Sequence, residues 1–159
     1  MNNQNTEDRK RVVDVLNDLM EINYDGSHGY RTAADAIDNS DYQALFREYA
    51  EQRKQFVDEL RAVISRFHGQ PEDEGNLGGV FHRAWIDIKA AVTNGDAAAI
   101  MAECDRSEEA ALDAYQDAMA KDLPEGVRDI IRHQMSAIRL AHERVHALHT
   151  ALRHKKERE

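Results

Sequence analysis

Three groups of residues in this 159-residue chain have the types and spacing to do chemistry. The first is Asn23, Gln52, Glu108 and Gln134, which fall on the inner faces of four helices at similar height when about 100° is advanced per residue. A helical bundle that holds two metal ions uses a Glu on each of two helices and Glu-x-x-His on each of the other two. Hard cations need convergent anionic oxygens. Here three of the four anchors are amides, and Gln55 and Ala137 stand where the histidines belong. One carboxylate cannot offset two divalent charges, so a di-iron site is expected to be absent and no cofactor is expected. Glu108 then needs another partner, because an isolated buried carboxylate is costly. Arg53 lies near the inner edge of its helix at matching height, which predicts a Glu108–Arg53 ion pair in a polar layer with Asn23, Gln52, Gln134 and Tyr30. The competing arrangement rotates Glu108 to the surface and leaves Arg53 solvated.

The second group is His142, His146 and His149, whose spacings of four and three bring them to one flank of a helix. Such imidazoles bind zinc, nickel or copper adventitiously, but no obvious Cys or carboxylate completes a four-ligand set. A solvated flank or a subunit contact is the favoured reading, with these histidines and Glu108 kept as the metal candidates. Asp25-x-x-His28 and Glu143-x-x-His146 mimic metal motifs, yet both point away from their apolar stripes and read as surface residues. The third group, Cys104 alone, sits between Ile100 and Glu108 with no His at a helical neighbour position to activate it. It reads as a packing residue. Gly75, Gly78 and Gly79 lack the strand and lysine of a phosphate loop. No catalytic residue is assigned.

The elements that must position these groups are helices. Two prolines and eight glycines are too few for a many-turned β-protein. Thr6 with Glu7 and Asp8 reads as a helix start, Asn39-Ser40 as a break with Ser40 and Gln43 at capping-box spacing, Gly69 and Pro71 as a stop, Asp96 as a cap and Leu123-Pro124 as another start. Helices are expected at about 7–37, 41–67, 77–92, 97–120 and 125–155. Four carry a single apolar stripe: Leu16, Leu19, Met20, Tyr30, Ala34 and Ile37 on the first; Leu45, Tyr49, Phe56, Leu60, Val63 and Phe67 on the second. Ile100, Cys104, Ala111, Tyr115 and Ala118 make the third, and Ile131, Ile138, Ala141, Val145, Leu148 and Leu152 the fourth. Four one-sided long helices bury those stripes in an all-α bundle. The helix 77–92, about 24 Å long at 1.5 Å per residue, suits a crossover between two helix pairs.

Composition narrows the partners. The 21 Lys and Arg against 30 Asp and Glu give a net charge of −9, which argues against duplex nucleic acid or an anionic membrane as partner. The single cysteine, the absence of an apolar signal-peptide core in Met1 to Arg11 and the lack of an apolar run near 18 residues point to a cytoplasmic protein. Phe81, Trp85 and Ile88 on the short helix are interface candidates for a homodimer.

Several stretches together resemble a bacterial ferritin-like four-helix-bundle family of unknown function. They are Leu16-Asn17-Asp18-Leu19, Asp25-Gly26-Ser27-His28-Gly29-Tyr30-Arg31-Thr32-Ala33-Ala34, Tyr49-Ala50-Glu51-Gln52-Arg53, His82-Arg83-Ala84-Trp85 and Glu103-Cys104-Asp105-Arg106-Ser107-Glu108. The resemblance covers about Asp14 to His149 and implies one ferritin-like four-helix bundle over residues 1–159, with a long crossover carrying a short fifth helix. It implies no activity. Three function classes follow: a non-catalytic bundle acting through protein contacts or self-association, which leads; a ferritin-like metal-binding protein or metal-dependent oxidoreductase; and a small-ligand binder in the bundle core.

Overall fold

Helix ends in this chain are set by polar side chains and one left-handed residue. The computed structural model describes residues 2–71, 88, 91–92 and 96–159. These include four long helices: α1 (Asn2–Ala36), α2 (Ser40–Arg66), α3 (Ala97–Met119) and α4 (Glu125–Arg158), and no strand among the described residues. The expected first helix starts earlier than Thr6, since nothing upstream of it interrupts helical backbone. The cap of α2 is Asn39 rather than Ser40: its backbone is extended and its side-chain oxygen accepts from the Asp41 and Tyr42 amides at 2.9 and 3.0 Å. Gln43 reaches past the expected box and donates to the Ile37 carbonyl at 2.7 Å. Asp96 caps α3 by accepting from the Ala98 amide at 3.0 Å. Pro124 precedes α4, where its missing N–H costs nothing.

α2 ends in a Schellman turn. His68 takes the left-handed conformation at φ 57°, its amide donates to Ser65, and the Gly69 amide donates to Ile64. Gly69 is required for a different reason: a Cβ there would lie 2.5 Å from Val13 Cγ2.

The helices pack as two antiparallel pairs. Asp35 faces Arg47, Tyr30 faces Phe46 and Tyr49, and Asn17 donates to the Gln70 carbonyl, which runs α2 back along α1. Arg128 donates to the Met119 carbonyl near one end of α3 and α4, while Lys156 pairs with Asp96 at the other. Residues Arg66–His68 lie beside Asp122–Pro124, so α2 finishes at the α3–α4 turn. Because α3 begins at the far end, beside Lys156, the segment from α2 to α3 joins opposite ends of the bundle. Most of the expected helix 77–92, with Phe81 and Trp85, lies outside the described residues. Ile88, Ala91 and Val92 are helical, and Ile88 is covered within the chain, 4% exposed.

The described residues form two apolar clusters in the interior. One gathers Leu16, Leu19, Met20, Leu60, Ile64, Ile131 and Ile138 around Tyr115; the other gathers Ala34, Ile37, Phe46, Ile100, Cys104 and Val145 around Tyr30. The stripe of α2 differs from expectation in its first half. Phe46, Ala50 and Arg53 are buried, whereas Leu45, Tyr49 and Gln52 are half-buried at its edge. Positions 46, 50, 53, 57, 60 and 64 follow the i, i+3, i+4 pattern of one helix face. Among the described residues no helix is long and apolar enough to cross a membrane.

Candidate functional site

Polar groups cross the bundle near mid-height, where the two apolar clusters meet. Arg53 projects from α2 and Glu108 from α3, and they meet as a two-pronged ion pair. Nη1 donates to Oε1 at 2.6 Å and Nη2 to Oε2 at 2.8 Å, with both side chains at most 2% exposed. The planar guanidinium matches the carboxylate edge, the geometry in which Arg is strongest. Burial by itself would lower the Arg53 pKa, but the facing Glu108 carboxylate more than reverses this and holds the guanidinium above its ordinary value. The Tyr30 ring lies 5.7 Å from the Arg53 Cζ. Burial, and then the Glu108 charge, push its phenol well above the usual range. Gly26 of α1 backs the guanidinium, since a Cβ there would stand 3.5 Å from Arg53 Cγ.

A chain of hydrogen bonds through two amides and a phenol accompanies the pair. Asn23 on α1 donates to the Tyr115 hydroxyl at 2.7 Å, and that hydroxyl donates to Gln134 Oε1 on α4 at 2.7 Å. Gln134 in turn donates to Glu59 on α2 at 3.3 Å. The Tyr115 hydroxyl ties α1 and α4 to α3, and Gln134 carries the chain on to α2. Burial raises the Tyr115 pKa, so the phenol stays neutral and able to donate. Gln52 is half-buried and accepts weakly from Arg53 Nε at 3.4 Å.

A second polar cluster lies on the seam between α3 and α4. His142 Nε2 is 2.9 Å from Asp105 Oδ1, while His146 Nδ1 and His149 Nδ1 are 2.9 and 2.8 Å from Asp105 Oδ2. Glu109, one turn beyond Asp105, brings a carboxylate oxygen to 3.6 Å from His142. Burial would raise the Asp105 pKa, but hydrogen bonds from His149, His146 and His142 outweigh it and lower the carboxyl below its usual range.

The structure therefore brings Asn23, Arg53, Glu108 and Gln134 into the interior, with Gln52 at the margin. Asn23 and Gln134 reach each other only through Tyr115, a residue the apolar pattern places in the core without revealing its hydroxyl's task. The three histidines do have carboxylates, contrary to the expectation that none completes their set: Asp105 and Glu109 come from the neighbouring helix. The spacings of four and three that bring His142, His146 and His149 to one flank were the available signal. Asp25, expected at the surface, is 7% exposed, whereas His28 is exposed and packs a tilted ring against Tyr24, centroids 4.5 Å apart. Glu143 is exposed and takes no part in either cluster. Cys104 is buried, and burial raises its thiol pKa well above the ordinary value.

Residues 11–121 match the family described as Domain of unknown function (DUF2383), and the chain belongs to that family. No curated protein matches the chain.

Proposed function

We propose that this DUF2383 member is a non-catalytic, ferritin-like bundle that acts through its surface, by contact with another protein or a second copy of itself, in the cytoplasm. The observation that carries the reading is the buried Arg53–Glu108 pair. In a metal-holding bundle, inward carboxylates converge on cations at mid-height. Here the one inward glutamate of the pair has both oxygens engaged by a guanidinium that does not deprotonate in proteins. A divalent ion entering beside Arg53 meets a fixed positive charge and amides in place of anions. The ferritin-like assignment is supported by the two antiparallel pairs and by a connection whose ends lie at opposite ends of the bundle.

Ferrous iron added to the native protein in air tests this reading. Oxidation is expected at the rate of buffer alone, with no iron retained by the core after desalting. Sedimentation or light scattering of the same protein is expected to show a homodimer or a stable complex with a partner. Iron oxidation abolished by Glu108→Ala would overturn the non-catalytic reading.

A further inference from the structure

We infer that Asp105, His146 and His149 form a site for one divalent first-row transition-metal ion on the α3–α4 seam. The starting point is charge. Asp105 is a carboxylate only 6% exposed, and its hydrogen-bond partners among the described residues are three imidazoles, with no Lys or Arg among the described residues paired to it. Glu108, three residues on, carries the same burden with a permanent guanidinium. An imidazole has no fixed charge, so among the described residues no permanent cation faces Asp105, and a divalent ion would supply one. Glu109 adds a second negative charge at the same end of the cluster. With neutral imidazoles the three ligands carry −1, and Glu109 beside His142 brings the cluster to −2, matching a divalent cation.

The geometry is that of a ligand set drawn in on itself. One oxygen of Asp105 and one ring nitrogen each of His146 and His149 all lie within 4.8 Å of one another. Around a tetrahedral zinc with bonds of about 2.0–2.1 Å, donor atoms stand roughly 3.3 Å apart. The two Nδ1 atoms sit 2.9 and 2.8 Å from Oδ2, so small outward side-chain movements admit the ion. Two nitrogens and one carboxylate oxygen suit Zn, Co, Ni or Cu and suit Mg or Ca poorly, since those ions prefer all-oxygen shells. His146, 58% exposed at its side chain, gives the ion a path from solvent and leaves a fourth position for water. His142 has a different task. Its Nε2 donates to the other Asp105 oxygen, which fixes the plane of the carboxylate, the positioning role that groups behind a metal ligand perform.

The proposal is independent of the core, because Arg53 and Glu108 remain intact in every variant that tests it. Untagged protein, stripped with a chelator, is titrated calorimetrically with Zn²⁺ and separately with Mg²⁺, and its Co²⁺ spectrum is recorded. Expected are one Zn²⁺ per chain with a Kd of about 1 μM or tighter, no Mg²⁺ uptake and a tetrahedral Co²⁺ spectrum. His149→Gln and Asp105→Asn should each weaken zinc by at least about 100-fold and His142→Gln by about 10- to 100-fold, with exposed His133→Gln unchanged. Far-UV circular dichroism checks folding, and His149→Gln, at a partly exposed position, decides the matter if Asp105→Asn does not fold. No zinc uptake by the wild type, or uptake that His149→Gln leaves unchanged, would overturn the site and leave the cluster as a hydrogen-bonded clasp.

Discussion

Arg53 shows how much one position along a helix decides. Stepping from residue 52 to 53 turns the side chain by about 100°, and that step exchanges a neutral amide for a guanidinium in the interior. An arginine is well suited to the place because its methylene stem packs as an apolar chain while its head finds the carboxylate. Gly26 supplies room behind it, yet a Cβ there would make an ordinary 3.5 Å contact. Gly26→Ala is therefore expected to be neutral or to stabilise the protein by up to about 1 kcal/mol, since glycine is poor in a helix interior. Gly26→Leu should destabilise it, and chemical denaturation of both variants checks the pair. Alkaline pH offers another check. Burial raises the pKa of Tyr30, Tyr115 and Cys104, so the folded state holds these protons more tightly than the unfolded chain. Their contribution is complete below the unfolded values, about 8.5 for a thiol and about 10 for a phenol, and is lost as pH rises past them. The urea midpoint should hold to about pH 8 and fall by pH 10.5. A midpoint unchanged at pH 10.5 would contradict the protonated state assigned to these groups.

At the scale of the element, the stripes and breakers in the sequence locate the four long helices, while the identity of the capping groups needs the backbone. Asn39 and Ser40 are both good caps by type, and only the extended backbone at Asn39 selects it. Asn39→Ala is expected to cost about 0.5–2 kcal/mol and Ser40→Ala much less, measured by urea unfolding. The end of α2 separates two residues in the same way. Gly69 is the visible stop signal, but the left-handed residue is His68, and Gly69 serves the approach of Val13. Gly69→Ala should destabilise by about 1–3 kcal/mol through that clash, whereas His68→Gly should stabilise modestly by relieving the left-handed backbone. Equal effects of the two substitutions would show that the turn has been assigned the wrong way round. Asp105 was hidden for an element-scale reason too. Its relation to the histidines depends on which face of α3 meets α4, and no pattern within α3 reports that.

At the scale of the molecule, two helix hairpins close over two apolar clusters, and polar bridges hold the boundary between them. The bundle was legible because four amphipathic stripes have few ways to bury one another. The polar layer was legible only as a set of residue types at one height. Its connectivity depends on Tyr115, which reads as apolar surface in a periodicity argument, and on the one-step register of α2. The central claim is that the middle of this bundle is neutralised by its own side chains. A double-mutant cycle at Arg53 and Glu108, read by urea unfolding, tests it most directly. Removing one half of a buried ion pair strands the other charge, so Arg53→Met should cost roughly 3 to 5 kcal/mol, while Arg53→Met with Glu108→Leu should recover most of that loss. An Arg53→Met variant as stable as the wild type, or a double variant no more stable than the single one, would contradict the account.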